Sequence, residues 1–287
     1  MRKSLVTTAV LGALAAPTFV FAADTAPAPA LTVAYNVGLY SQYIFRGLTQ
    51  TDRKPALQGG VDLTHSSGLY FGMWGSNISW LQDDYGVPGT TTKVYDKGGN
   101  LELDIYGGYR YNFGDTGFGI DIGALQYWYP GSRGINATIA GNPINPRANT
   151  TEIYGAINYK WLQFKISDVV SNAAWGFGKY GDGSGDKADG TYYAEINANI
   201  PVGDLIGGEM LKGVTGLVHV ARQEFDGTLN EPASYTDYKL GLQKSFDSGV
   251  NVGAYWTKAT TTDNGLWTYN GKNIGESTGT AYIQKTF

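Results

Sequence analysis

Along most of the chain apolar and polar residues alternate one by one, and the alternating runs are long. In residues 101–113, LELDIYGGYRYNF, one face carries Leu101, Leu103, Ile105, Tyr109, Tyr111 and Phe113. The other face carries Glu102, Asp104, Tyr106, Arg110 and Asn112. Asp115 and Gly117 then mark a tight turn, and alternation resumes over 118–129, where Phe118, Ile120 and Ile122 oppose Gly119, Asp121 and Gly123. A period of two puts successive side chains on opposite faces of a strand. Soluble strands run to about five or six residues. Runs of about ten, separated by turns, are what a β-barrel needs to cross a bilayer. Twelve segments are predicted: 31–47, 55–65, 69–79, 101–113, 118–129, 151–161, 162–174, 190–200, 215–225, 235–246, 250–262 and 279–287.

Their connections fall into two alternating sets. One set is tight, at 65–68, 114–117, near Trp161 and at 247–249; the other is longer and polar, at 48–54, 80–100, 130–150, 175–189, 226–234 and 263–278. Short periplasmic turns and long extracellular loops alternate in this way in outer-membrane barrels. The connection 201–214 breaks the rule, being long on the short side. Beyond the N-terminus no apolar run of about 18 residues occurs, so no transmembrane helix is expected. The predicted fold is all-β: a transmembrane antiparallel up-and-down β-barrel of twelve strands with periplasmic termini. Trp80, Trp128 and Trp175 at strand–loop junctions and Trp161 at a tight turn are expected in interfacial girdles.

The N-terminus reads as a targeting segment. Arg2-Lys3 is basic, Leu5 to Ala16 is apolar, and Val20 and Ala22 suit the −3 and −1 positions of a cleavage site. The expected division is a signal peptide 1–22, a short Pro/Ala leader 23–30 and a barrel 31–287. Cleavage leaves 19 bases against 25 acids, a net charge of −6, which argues against nucleic-acid binding. The chain has 41 Gly, 21 Tyr, 16% charged residues and no Cys. Disulfides, thiolate nucleophiles and Cys-based metal sites are therefore excluded. The terminal run TAYIQKTF resembles the assembly signal of outer-membrane barrels, with Lys285 where an apolar residue is usual. Outer-membrane lipid and the barrel-assembly machinery are the expected partners.

Little in the sequence carries catalytic chemistry. The two histidines are His65, in a tight turn, and His219, in mid-strand; no G-x-S-x-G elbow is present. No enzyme activity and no cofactor are expected. The loop 182–190 places Asp182, Asp186 and Asp189 among glycines, but the spacing matches no calcium motif, and a solvated loop is expected. Function must then lie inside the barrel. With the apolar faces toward lipid, the charged pore-lining candidates are Arg46, Asp62, Glu102, Asp104, Arg110, Asp121, Glu152, Lys165, Glu195, Asp237 and Lys239. The uncharged inward set includes Asn36, Tyr40, Gln42, Tyr106, Tyr154, Asn197, Asn199, Asn251 and Tyr255. Arg46 is expected to form an internal ion pair with a carboxylate such as Asp62, because a buried charge needs a partner.

Two motif regions carry a resemblance. Tyr43-Ile44-Phe45-Arg46-Gly47, Gln50-Thr51, Pro55-Ala56-Leu57-Gln58-Gly59-Gly60, Gly75-Ser76-Asn77 and Trp80 form the first, and Tyr235-Thr236-Asp237-Tyr238-Lys239-Leu240-Gly241 the second. Both are similar to the TorF-like porin family, also called the Gcw_chp group. The resemblance implies an outer-membrane barrel and a channel, and brings no substrate and no catalytic residue. The functional expectation is a narrow channel for passive diffusion of small solutes. The alternatives are a closed barrel with a structural, adhesive or receptor role and, behind it, an outer-membrane lipid hydrolase.

Overall fold

A computed structural model describes residues 30–83, 95, 97–132, 137–139, 142–144, 148–178, 187–227, 230–261 and 266–287. The expected signal peptide and leader, and most of the acidic loop 182–190, lie outside the described residues.

Twelve strands close into one barrel: β1 (Leu31–Tyr40), β2 (Ala56–His65), β3 (Leu69–Asn77), β4 (Leu101–Asn112), β5 (Phe118–Trp128), β6 (Thr150–Tyr159), β7 (Leu162–Val169), β8 (Tyr192–Ile200), β9 (Val214–Glu224), β10 (Tyr235–Ser245), β11 (Val250–Ala259) and β12 (Thr278–Thr286). Each pairs antiparallel with its sequence neighbours, and β12 closes on β1 with Asn36 opposite Thr286. Both ends of the barrel domain lie with the tight turns. The connection 201–213 is the exception on that side and contains a short helix, α1 (Val202–Ile206).

Alternation becomes a two-sided wall. Along β1, Leu31, Val33, Tyr35, Val37 and Leu39 are exposed, whereas Asn36 and Tyr40 are buried. Leu57, Phe71, Ile122, Ile153, Phe164, Ile196, Leu240, Leu242 and Ile283 continue the apolar belt around the outside. An apolar exterior this extensive is the surface a bilayer requires and water penalises. Trp128 and Trp161 are exposed on it, as expected of girdle residues. Trp80 and Trp175 are not: Trp80 is buried and Trp175 half-buried inside the barrel. Lys285 lies on the outer face, its amine over the Phe287 ring and donating to the Ser248 carbonyl.

Inside, the wealth of Gly and Tyr has a packing reason. The Tyr106 ring of β4 lies across Gly72 of β3, and the Tyr70 ring of β3 lies across Gly108 of β4. Each tyrosine hydroxyl then reaches a carboxylate, Tyr106 to Asp62 at 2.6 Å and Tyr70 to Asp121 at 2.6 Å. A Cβ on Gly72 would sit 2.3 Å from the Tyr106 ring. Gly72→Ala is therefore expected to displace that ring and break its bond to Asp62, at about 1–3 kcal/mol. The check is a lower midpoint in heat-dependent gel mobility, with Gly155→Ala, where a Cβ meets nothing, as the unaffected control.

Three predicted segments end three or more residues early. The first stops at Tyr40 rather than Gly47, the seventh at Val169 rather than Ala174, and the eleventh at Ala259. In the first two cases the chain leaves the wall and folds back as a two-residue hairpin, Ile44–Phe45 with Leu48–Thr49 and Ala173–Ala174 with Phe177–Gly178.

Candidate functional site

The first loop does not stand away from the barrel but enters it. Arg46 at φ +46° and Gly47 at φ +79° turn the hairpin 44–49 back on itself. A non-glycine residue in the left-handed region is strained and persists only where its surroundings hold it. The surroundings here are specific. One Arg46 Nη donates to both Glu152 oxygens at 2.8 Å, and the other donates to Gln223 Oε1 at 2.8 Å. The guanidinium also lies 4.1 Å from the centre of the Tyr193 ring and 5.0 Å from those of Trp175 and Phe45. Arg46 thus has a buried carboxylate partner, but that partner is Glu152 of β6, not Asp62, which instead accepts from Tyr106.

Around this hairpin the loop-end half of the lumen is filled by aromatic residues. Tyr43, Leu48, Trp74, Trp80, Tyr127, Tyr129, Phe225, Tyr235, Trp267 and Tyr269 belong to one buried cluster, with Phe45, Trp175 and Phe177 packed on it. Trp80 meets Tyr129 edge-on at 5.6 Å, and Phe177 lies 4.7 Å from Phe225. A cavity of about 40 Å³ remains within it, bordered by Phe45, Trp175 and Gln223 among others. A larger cleft of about 560 Å³ opens at the loop end between Tyr95, Tyr129, Gly131, Asn149 and Asn172.

Below the aromatic layer the wall is polar and several of its charges are paired. Arg110 faces Asp121 across β4 and β5 at 2.8 Å, and Lys165 faces Glu195 across β7 and β8 at 3.9 Å. A row of amides crosses four strands: Gln163 donates to Asn158 at 2.9 Å, Asn197 donates to Gln163 at 3.2 Å, and His219 meets Asn197 at 2.6 Å. His219 also lies 3.0 Å from both Asp237 and the Tyr193 hydroxyl. Lys239 is opposite His219 in register, with its amine 5.7 Å from the centre of the Tyr255 ring. His219 belongs to this inward ring, which the sequence reading passed over because its neighbours Leu217, Val218 and Val220 are apolar. Its parity with Gln223 on β9 was the available signal.

Glu102 and Asp104 differ from the rest. Both face inward from β4 and are 1% and 3% exposed. Tyr43 donates to Glu102 Oε1 at 2.5 Å, yet Asp104 Oδ1 has no hydrogen-bond partner among the described residues. Both carboxylates, Glu152 and Arg46 lie within electrostatic reach of Tyr127. Three carboxylates thus share one cation. Among the described residues no group of three or more acidic or histidine side chains has the geometry to hold a metal ion.

The structural comparisons return barrels at low identity. The KdgM porin is 10% identical with a TM-score of 0.45, over 89% of this chain and 98% of that one. The NanC porin is 12% identical with a TM-score of 0.45, over 89% and 99%. The outer membrane protein opdK from Pseudomonas aeruginosa is 10% identical with a TM-score of 0.40, over 92% and 68%. No curated protein matches the sequence. The family model named Gcw_chp, a bacterial protein of unknown function, matches residues 24–287, which include the whole barrel. On that match the chain belongs to the Gcw_chp family.

Proposed function

We propose that the protein is a channel of the bacterial outer membrane, passing small polar solutes through a narrow lumen of mixed charge that the hairpin 44–49 constricts. The observation that carries this reading is the polar lower lumen. Barrels of about eight strands fill with side chains and those of 16–18 leave a wide channel, so twelve strands give a narrow passage. A merely structural interior has no need of buried charges, which cost desolvation. Here a ring of amides and ion pairs lines the wall beneath the aromatic layer. The motif residues at 43–60 and 235–241 supply the hairpin and part of the facing wall. Arg46, Asp62, Glu102, Asp104, Arg110, Asp121, Glu152, Lys165, Glu195, Asp237 and Lys239 are the proposed lining.

Among these residues the carboxylates outnumber the bases. Arg46, Arg110 and Lys165 pair with Glu152, Asp121 and Glu195, while Asp237 meets His219 and lies, with Glu195, within electrostatic reach of Lys239. Asp62, Glu102 and Asp104 are left without a cation of their own. The expected channel is therefore cation-selective, because narrow low-dielectric walls focus the surplus charge. Reversal potential in a potassium chloride gradient across a planar bilayer tests this. The preference should appear at low salt and fade as screening rises, and anion preference would overturn the charge assignment.

The closed barrel, with a structural, adhesive or receptor role, is the second reading, and the aromatic layer favours it. Absence of conductance, both in the native protein and after the hairpin is released by substitution of Arg46, would select it. Export by the segment 1–22 is part of the proposal. N-terminal sequencing of outer-membrane material should then begin at Ala23, and a retained Met1 would remove this route.

A further inference from the structure

The socket around Arg46 is built by the barrel, not by the hairpin that fills it. Glu152 comes from β6, Tyr193 from β8, Gln223 from β9 and Trp175 from the 173–178 hairpin. Together they present what a guanidinium group needs. A ring 4.1 Å away covers its face, a carboxylate accepts from one nitrogen and a side-chain amide oxygen accepts from another. Carboxylate recognition along the edge and aromatic contact over the face are the two ways guanidinium differs from a simple ammonium. Arg46 is not part of this wall: it is itself the strained left-handed residue, on a hairpin with only two residues in each strand.

A second observation points to a cationic ligand larger than Arg46 alone. Asp104 is buried beside the socket with its Oδ1 lacking a hydrogen-bond partner among the described residues, and Glu102, which Tyr43 holds by a hydrogen bond, is buried next to it. Arg46 is bound to Glu152 and reaches Asp104 only at a distance, so one cation serves three buried carboxylates, although each buried carboxylate needs a partner. The cavity of about 40 Å³ borders the socket through Phe45, Trp175 and Gln223, on the side of the hairpin.

We propose that this socket is a binding site for small guanidinium-bearing cations, and that Arg46 is its tethered occupant. A solute that enters the lumen competes with Arg46 for Glu152, Gln223 and the Tyr193 face. A second cationic group on the same solute is drawn to Asp104 and Glu102. Displacing Arg46 releases the hairpin that fills the loop end, so the solute that fits the socket loosens the constriction. The role in solute entry rests on the channel reading; the binding itself does not.

The test is a titration of the Arg46→Ala protein, refolded in detergent, with agmatine, methylguanidinium and the neutral isostere urea. Tryptophan fluorescence follows binding through Trp175. Both cations should give a saturable response and urea none. Agmatine should bind about tenfold more tightly, the worth of one added charge-assisted hydrogen bond. Adding Glu152→Gln should abolish the response. A response to urea equal to that of the cations, or one that survives Glu152→Gln, overturns the proposal.

If Arg46→Ala does not refold, the native hairpin decides. The chain has no cysteine, so Leu48→Cys supplies a single thiol at a position only 4% exposed. Agmatine should speed maleimide labelling of that thiol, and putrescine, which lacks the guanidinium, should not. Equal rates with both overturn the proposal. Binding without bilayer conductance would keep the socket and remove the channel; conductance without binding would do the reverse.

Discussion

Leu240→Arg is expected to abolish insertion of the folded barrel into bilayers, whereas Leu240→Ala should leave it almost unchanged. Leu240 is the middle residue of β10 and is 59% exposed on the outer face. Its cross-strand neighbours are Val218 and Trp256, both exposed on the same belt. An arginine there meets hydrocarbon, far from either water layer, at a cost of about 2–4 kcal/mol near the midplane. Its cross-strand neighbours Val218 and Trp256 offer no hydrogen-bond acceptor, so the guanidinium must snorkel along the wall or thin the bilayer. One residue away, Lys239 points inward and bears its charge in a polar wall. Lys239→Leu should therefore fold with near-native yield while altering selectivity. Folding yield into lipid vesicles, read by heat-dependent gel mobility, measures the contrast. Equal yields for Leu240→Arg and Leu240→Ala would mean that this face does not meet lipid.

The wall was legible because a pleated strand between lipid and a polar lumen forces a strict period of two. Leu101 to Asn112 and Phe118 to Trp128 could be read residue by residue, and ten of the twelve strands emerged within three residues of their bounds, the first and seventh segments running on past theirs. The interior loops were not legible in the same way. Tyr40, Gln42 and Arg46 continue the inward parity of β1, and Tyr43 and Phe45 continue the apolar one, so alternation runs on where the strand has already ended. Arg46 carries no local mark of its left-handed backbone, and only Gly47 beside it hints at a turn. Trp80 and Trp175 were misplaced for a chemical reason. An indole at a strand end suits an interfacial girdle and an aromatic lumen layer equally well, and its surroundings come from distant loops. Arg46 was read correctly as buried and paired, but Glu152 lies 106 residues away and no local pattern could choose it over Asp62.

The Arg46–Glu152 pair should respond differently to losing one partner and to losing both. Glu152→Leu leaves the Arg46 guanidinium buried, with Gln223 and the Tyr127 hydroxyl as its remaining acceptors. Breaking a buried pair from one side costs about 3–5 kcal/mol, because the surviving charge stays desolvated. Asp104, within reach of Arg46, compensates in part, which puts the expected cost at the lower end of that range. Replacing both residues, Arg46→Met with Glu152→Leu, removes the two desolvation costs together and fills the socket with apolar volume among Phe45, Trp175 and Tyr193. Such replacements are often neutral or stabilising. The heat-dependent mobility shift should thus fall to lower temperature in the single variant and return toward the native midpoint in the double. Function should separate the two cases. The double variant keeps the hairpin seated without the ion pair, so its conductance should no longer respond to guanidinium cations although the barrel is intact. A double variant as unstable as the single would mean that the pair is not what holds the hairpin. The aromatic layer would then carry the constriction without it.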